Sequence, residues 1–216
     1  MREDRASISL KFLNDHSKYD MVANMARPFQ FNREETLTKA MNVFWQKGYK
    51  ATSMKDLIKH TGLKPGSIYN TFGGKHSLFI AALKHYGEVV TSETLKILNS
   101  SGSPSQNIKN FFYEIINRSS GQKNMGCLIS NTVVELAPHD QVAAEIVNDI
   151  LRQIERAFYN CLKRARELGE LSNKTNIKAL SLYFASCTHG LLVTGKSSAT
   201  RKQMKGIVDV ILSTLK

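Results

Sequence analysis

Lys64, Ser67, Asn70 and Thr71 lie close together and bring an ammonium, two hydroxyls and an amide, with no carboxylate among them. Such groups hydrogen-bond to base edges and to phosphate oxygens. The missing acids matter as much, because a carboxylate on that face would repel a polyanion. A second set lies in residues 126–137, GCLISNTVVELA, where Asn131 and Glu135 stand four apart. That spacing puts both on one helix face. Turned inward, they would be polar anchors of a ligand pocket. Turned outward, they would be partly exposed or satisfy backbone groups. Cys127 opens this stretch. An exposed thiol beside cations is reactive, but Leu128 and Ile129 favour a packed small hydrophobe.

Other chemistries find no support. There is no nucleophile elbow and no dinucleotide fingerprint, and the Ser-Ser-Gly-Gln-Lys run of residues 119–123 lacks phosphate-loop spacing. The six histidines and three cysteines form no close ligand cluster. An enzyme, a metal centre and a bound cofactor are therefore not expected.

The polar set needs a rigid element beneath it, and residues 53–72, SMKDLIKHTGLKPGSIYNTF, read as a helix-turn-helix. Met54, Leu57, Ile58 and Thr61 recur on one helical face. Ser53 is an N-cap, and Asp56 three residues later completes a capping-box-like pair. Gly62 stops the first helix, Leu63 plugs the turn, and Pro65 suits the first position of the second helix. Ile68 and Phe72 hold that short helix to the core. Gly73 and Gly74 break the chain and read as a loose pivot. A helix then spans residues 75–99, with Leu78, Phe79, Ala82, Leu83 and Tyr86 inward. Lys75 at its start opposes the helix dipole, which suggests a phosphate contact.

The totals agree with a polyanionic partner. The chain has 216 residues and a formal charge of +12. Residues 1–26 are neutral overall, while residues 27–99 carry +6 and residues 100–216 carry +6 over a longer span. Positive density is thus highest around the helix-turn-helix, as phosphate binding requires. An odd cysteine count without paired spacing argues against disulfides and for a reducing cytoplasm. No apolar run approaches a membrane span and no signal segment is visible, so no membrane association is expected.

The remaining chain reads as helices. Residues 1–31 form an extension, expected to be poorly ordered, with Met25-Ala26-Arg27-Pro28 resembling a fresh start. Residues 33–47 form a helix capped by Asn32, with Leu37, Ala40, Met41 and Phe44 inward and Trp45 beside them. After a loop at residues 99–104, a helix over 105–118 carries Ile108, Phe111, Phe112, Ile115 and Ile116. Residues 119–124 are a loop, and Pro138 stops the 126–137 segment. Residues 140–168 form a long amphipathic helix with Val142, Ala143, Ile146, Ile150, Ile154, Ala157, Phe158 and Leu162 inward. Residues 177–193, nearly all-round apolar, must be buried on both sides, which points to a subunit interface. A last helix covers 201–215.

Residues 33–86 resemble the N-terminal domain of the TetR/AcrR family of transcriptional regulators. The matching pieces are Ala40, Phe44, Gly48-Tyr49 and Thr52-Ser53, then Ile58, Thr61-Gly62-Leu63, Gly66-Ser67-Ile68-Tyr69, Phe72, Lys75 and Leu78. The GCL, Asn131 and Glu135 pattern resembles one branch of the family's C-terminal domains. The resemblance implies an all-α chain of about nine helices: a three-helix DNA-binding domain at residues 32–76 and a ligand-binding and dimerisation domain at 77–216. It implies operator DNA as partner, a homodimer through the last two helices, and a small-molecule inducer. Thr52 and Ser53 would use hydroxyls and helix N-terminal amides on a phosphate, Gly66, Ser67 and Asn70 would face the groove, and Tyr69 and Lys75 would touch the backbone. Lys64, Pro65 and Thr71 join this set. Tyr86, Phe112, Cys127, Asn131, Glu135, Phe158 and Phe184 are the candidate pocket residues. The expected function is a ligand-responsive repressor on a palindromic operator. The alternative is a protein-interaction or redox-sensing regulator without an inducer.

Overall fold

The computed structural model describes residues 32–119, 125–197 and 199–215. The expected extension, 1–31, and the expected loop residues 120–124 lie outside them. Among the described residues there is no strand. The α-helices are α1 (Arg33–Lys47), α2 (Met54–Thr61), α3 (Pro65–Phe72), α4 (Lys75–Tyr86), α5 (Ser92–Lys96), α6 (Pro104–Ser119), α7 (Leu128–Glu135), α8 (Gln141–Glu167), α9 (Ile177–Lys196) and α10 (Arg201–Leu212). A π turn, Gly87–Thr91, joins α4 to α5 in one rod, so the all-α expectation of about nine helices holds.

Two aromatic cores organise these helices. In the first, α1 packs on α2 and α4, and α3 packs on α4. Phe44 meets Phe79 edge to face at 5.0 Å, and Tyr49 closes on Phe79 at 4.9 Å. Leu37, Ala40, Met41 and Phe44 are buried as the helical spacing predicts. In the second, α8 packs on α9 and α6 packs on both. Phe111, Phe112, Phe158 and Phe184 meet there with centroids 5.0 to 5.9 Å apart. Edge-to-face and offset pairs of this kind add about 0.5–1.5 kcal/mol each beyond their burial.

Several boundaries differ from the sequence reading. The helix expected over 75–99 is interrupted by the π turn and ends at Lys96. A Cβ on Gly87 would lie 2.9 Å from Ile150 Cδ1, so the glycine lets α8 approach closely. The 126–137 helix starts only at Leu128, because Gly126 has φ +67° and Cys127 is extended. Pro138 sits inside a 3-10 turn, Ala137–His139. On α8, Val142 is 48% exposed and Val147 takes its place inside. The last helix ends at Leu212 and continues as a 3-10 turn, Ser213–Leu215.

Candidate functional site

α2 is fixed at both ends by the residues its sequence supplies. Ser53 Oγ accepts the Asp56 N–H at 3.1 Å, and the Ser53 N–H donates to Asp56 Oδ2 at 2.9 Å. Lys47 Nζ pairs with the other oxygen of Asp56. The Lys47 ammonium, followed by the Ser53 hydroxyl, holds the Asp56 carboxyl well below the usual carboxylate range. This acid therefore stays ionised and is neutralised locally. At the other end Gly62 takes φ +74° and returns its N–H to Ile58. Leu63 is buried behind the turn.

α3 then starts at Pro65 and buries Ile68 and Phe72 against the core. Its other side is open. Lys64, Pro65, Gly66, Asn70 and Thr71 are exposed, Tyr69 is 56% exposed, and Ser67 is half-buried. A Cβ on Gly66 would meet no atom within 4 Å, so that surface is flat and open to another molecule's backbone. Among these residues no carboxylate stands on α3.

Three expectations about this face are corrected by geometry. Thr52 is 1% exposed, and its hydroxyl donates to the Gly48 carbonyl at 2.6 Å. It cannot present that hydroxyl to a phosphate without breaking the turn. The Ser53 hydroxyl, although exposed, already donates to Asp56 Oδ2 at 2.7 Å. Gly73 and Gly74 are a packed turn rather than a loose pivot. Their φ values are +83° and +124°, a combination only glycine adopts without strain. Gly74 is buried, and the Tyr69 ring lies 3.3 Å from where its Cβ would stand. Lys75 is half-buried, with Nζ 4.5 Å over the Tyr49 ring, where the ring face stabilises the charge.

A cavity of about 280 Å³ lies between the two cores. Of the expected pocket residues, Tyr86 and Cys127 line it. Phe112, Phe158 and Phe184 do not, being fully buried in the second aromatic core. Asn131 and Glu135 also lie elsewhere. Asn131 accepts from Lys196 Nζ at 3.3 Å and donates to the Met125 carbonyl at 3.4 Å. Glu135 reaches the turn between α1 and α2: its Oε2 accepts the Tyr49 N–H at 3.0 Å and its Oε1 accepts the Lys50 N–H at 2.7 Å. The shared face of α7 thus turns toward neighbouring segments and not into the pocket.

Sequence reasoning missed the residues that shape the cavity most. Trp45 of α1 forms part of the wall, meets Tyr86 edge to face at 4.9 Å, and donates its indole N–H to the Gly126 carbonyl at 3.1 Å. Phe111, Arg118, Thr188 and His189 join it. The available signal was only that Trp45 borders the α1 stripe. Burial pushes the Tyr86 phenol up, so it stays protonated and donates to Cys127 Sγ at 3.7 Å. Burial pushes the His189 imidazole down, toward its neutral form, beside Ser130 Oγ at 3.0 Å.

α9 buries one side only. Ile177, Leu180, Phe184, Thr188 and Leu191 face the core, whereas Leu182, Tyr183 and Val193 are exposed in the single chain. Ile207 and Val210 of α10 are exposed as well. Among the described residues no helix is long and apolar enough to cross a membrane, and no group of three or more His, Cys, Asp or Glu is placed to hold a metal ion.

Known proteins match both parts of this arrangement. The family model described as "Bacterial regulatory proteins, tetR family" matches residues 37–82. A second, "Tetracyclin repressor-like, C-terminal domain", matches residues 104–209. The HTH-type transcriptional regulator YezE of Bacillus subtilis is 34% identical over 193 residues, covering 88% of this chain and 100% of the relative. The HTH-type transcriptional repressor ComR of Escherichia coli is 27% identical over 188 residues, covering 86% and 90%. A cysteine mutant of the TetR family regulator CifR, solved with 26-bp double-strand operator DNA, superposes with a TM-score of 0.79 at 26% identity, over 87% of this chain and 98% of that one. With an open, acid-free face on α3 and family matches across both halves, the chain belongs to the TetR family of helix-turn-helix, DNA-binding transcriptional regulators, which are not enzymes.

Proposed function

We propose that this regulator is a ligand-responsive repressor that binds a palindromic operator as a homodimer in the cytoplasm. The observation that carries the ligand-responsive part is the cavity wall supplied by Trp45. A molecule bound there touches α1, the helix on which α2 and α4 pack. The repressor reading draws on ComR, described as a repressor, and the operator reading on the CifR complex. The DNA contacts are assigned to Lys64, Pro65, Gly66, Ser67, Tyr69, Asn70 and Thr71, with Lys75 and the N-terminal amides of α2 on phosphates. Two protomers would place α3 helices in major grooves about 34–36 Å apart. The ligand would bind more tightly to a state with the wrong spacing, a coupling of about 1–3 kcal/mol.

Fluorescence anisotropy of labelled DNA from upstream of the gene, titrated with salt and competitor, tests this. Tight binding that survives competitor and protects a two-fold-related site is the expected result. Binding that salt erases, together with no enriched palindrome in a genome-wide fragment selection, would refute it. A second reading, oxidation of Cys127 as the signal, has one supporting observation: the thiol lines the cavity. Loss of a peroxide response in Cys127→Ser, with operator binding kept, would favour it.

A further inference from the structure

The cavity's own chemistry narrows what enters it, and this inference rests on the ligand-responsive reading above. We propose that the ligand is a compact, uncharged ring compound of about eleven heavy atoms that lies against Trp45 and Tyr86.

Size comes first. A cavity of about 150 Å³ holds benzene. One of about 280 Å³ therefore holds roughly twice that, one substituted ring or a fused pair. Shape comes next. Trp45, Tyr86 and Phe111 supply aromatic surface, and Ile115, Ile154 and Leu192 supply aliphatic surface. Flat faces at fixed angles favour a ring over a flexible chain, which would lose more conformational freedom on entry.

Charge decides the class. The ionisable side chains among the described lining residues are Tyr86, Arg118, Cys127 and His189. The Arg118 guanidinium is already engaged, donating from Nε to Glu114 Oε1 at 2.8 Å and from a terminal nitrogen to Thr94 Oγ1 at 2.7 Å. Tyr86 is held protonated and His189 neutral by burial. Among the described lining residues an anion would thus find one cation, Arg118, already paired with Glu114, and a cation no carboxylate. Bringing an unpaired charge into this wall is unfavourable. A ligand hydroxyl is different: the Thr188 oxygen, whose own proton goes to the Phe184 carbonyl at 2.8 Å, can accept from it, and the His189 imidazole can also hydrogen-bond to it.

The chain has one tryptophan, so Trp45 reports occupancy directly. The full chain is titrated with matched sets in which one ring carries an alcohol, a carboxylate or an ammonium: substituted benzyl alcohols, benzoates and benzylammonium ions. Intrinsic emission and calorimetry are read together. The alcohols are expected to bind saturably and alter Trp45 emission, with their charged partners at least about tenfold weaker. Leu192→Phe, which fills space from a half-buried wall position, should weaken the alcohols by a similar factor. Val90→Phe does the same from another wall if the first variant loses its helical circular dichroism. Charged partners that bind as tightly, binders that leave Trp45 emission unchanged, or no saturable binder in the whole set would each overturn the proposal. Operator release is measured on the same samples. An alcohol that binds at Trp45 without releasing operator DNA would refute the inducer reading and leave the ligand class standing.

Discussion

Asn70 and Lys64 share the exposed face of α3 yet should behave differently when removed. An amide reads a base edge through paired donor and acceptor, whereas an ammonium neutralises a phosphate of any sequence. Asn70→Ala should therefore change which operator variants bind, by about 1–3 kcal/mol at one base pair. Lys64→Ala should weaken all sequences alike and reduce the slope of log K against log salt by about 1. Anisotropy over an operator variant set and a salt series separates the two. Asp56 gives a pH prediction. Its folded-state carboxyl lies below the ordinary range because of Lys47 and Ser53. The stability it contributes is fully present above the ordinary carboxylate pKa, about 4, and is lost as pH falls through the lower folded value. Thermal melts of wild type and Asp56→Asn should therefore differ most at neutral pH and converge in acid. Parallel curves at all pH values would contradict this.

At the scale of elements, what the sequence made legible is what is local. Ser53 and Asp56 are three residues apart, and their box reads directly from the chain. Gly62, Leu63 and Pro65 punctuate α2 and α3 for equally local reasons. The Glu135 clasp on Tyr49 and Lys50 spans 86 and 85 residues, and Trp45 finds Gly126 across 81. Spacing shows that Asn131 and Glu135 share a face, but only packing decides where that face turns. The close approach of Ile150 from α8 to Gly87 was equally hidden, since the two are far apart in the chain. The clasp itself is testable. Glu135→Ala removes two charge-assisted bonds and should cost about 1–3 kcal/mol. Gly48 has φ +82°, and a Cβ there would lie 2.8 Å from Glu135 Oε2. Gly48→Ala should thus cost about 1–2 kcal/mol from backbone strain and also displace the carboxylate. Both variants, measured by denaturant unfolding, should lose operator affinity as well, because the 48–50 turn leads into α2. Full operator affinity in both would show that the turn is held without Glu135.

For the whole molecule, the open question is what covers the second side of α9. The all-round apolar sequence demands burial on two sides, and the single chain provides one. Leu182, Tyr183 and Val193 on α9 and Ile207 and Val210 on α10 remain exposed. Tyr183, Ile207 and Val210 line one groove between α9 and α10, and exposed apolar surface of this kind marks a partner site. A second copy of the chain presenting the same face would satisfy it through a two-fold axis, in which each residue meets its counterpart's surroundings. The symmetry also matches a palindromic operator, so one contact would serve both assembly and DNA spacing. Val210 is 66% exposed in the single chain. Val210→Glu should therefore leave the fold of each chain intact, with unchanged circular dichroism, while placing two like charges near the axis. Sedimentation velocity is expected to show a dimer for wild type and a monomer for Val210→Glu at the same concentration. Operator binding by the variant should weaken at least about tenfold, because each half-site must then be bound without its neighbour's help. A Val210→Glu protein that stays dimeric and binds the full palindrome normally would place the subunit contact on another face and leave the second side of α9 to a different partner.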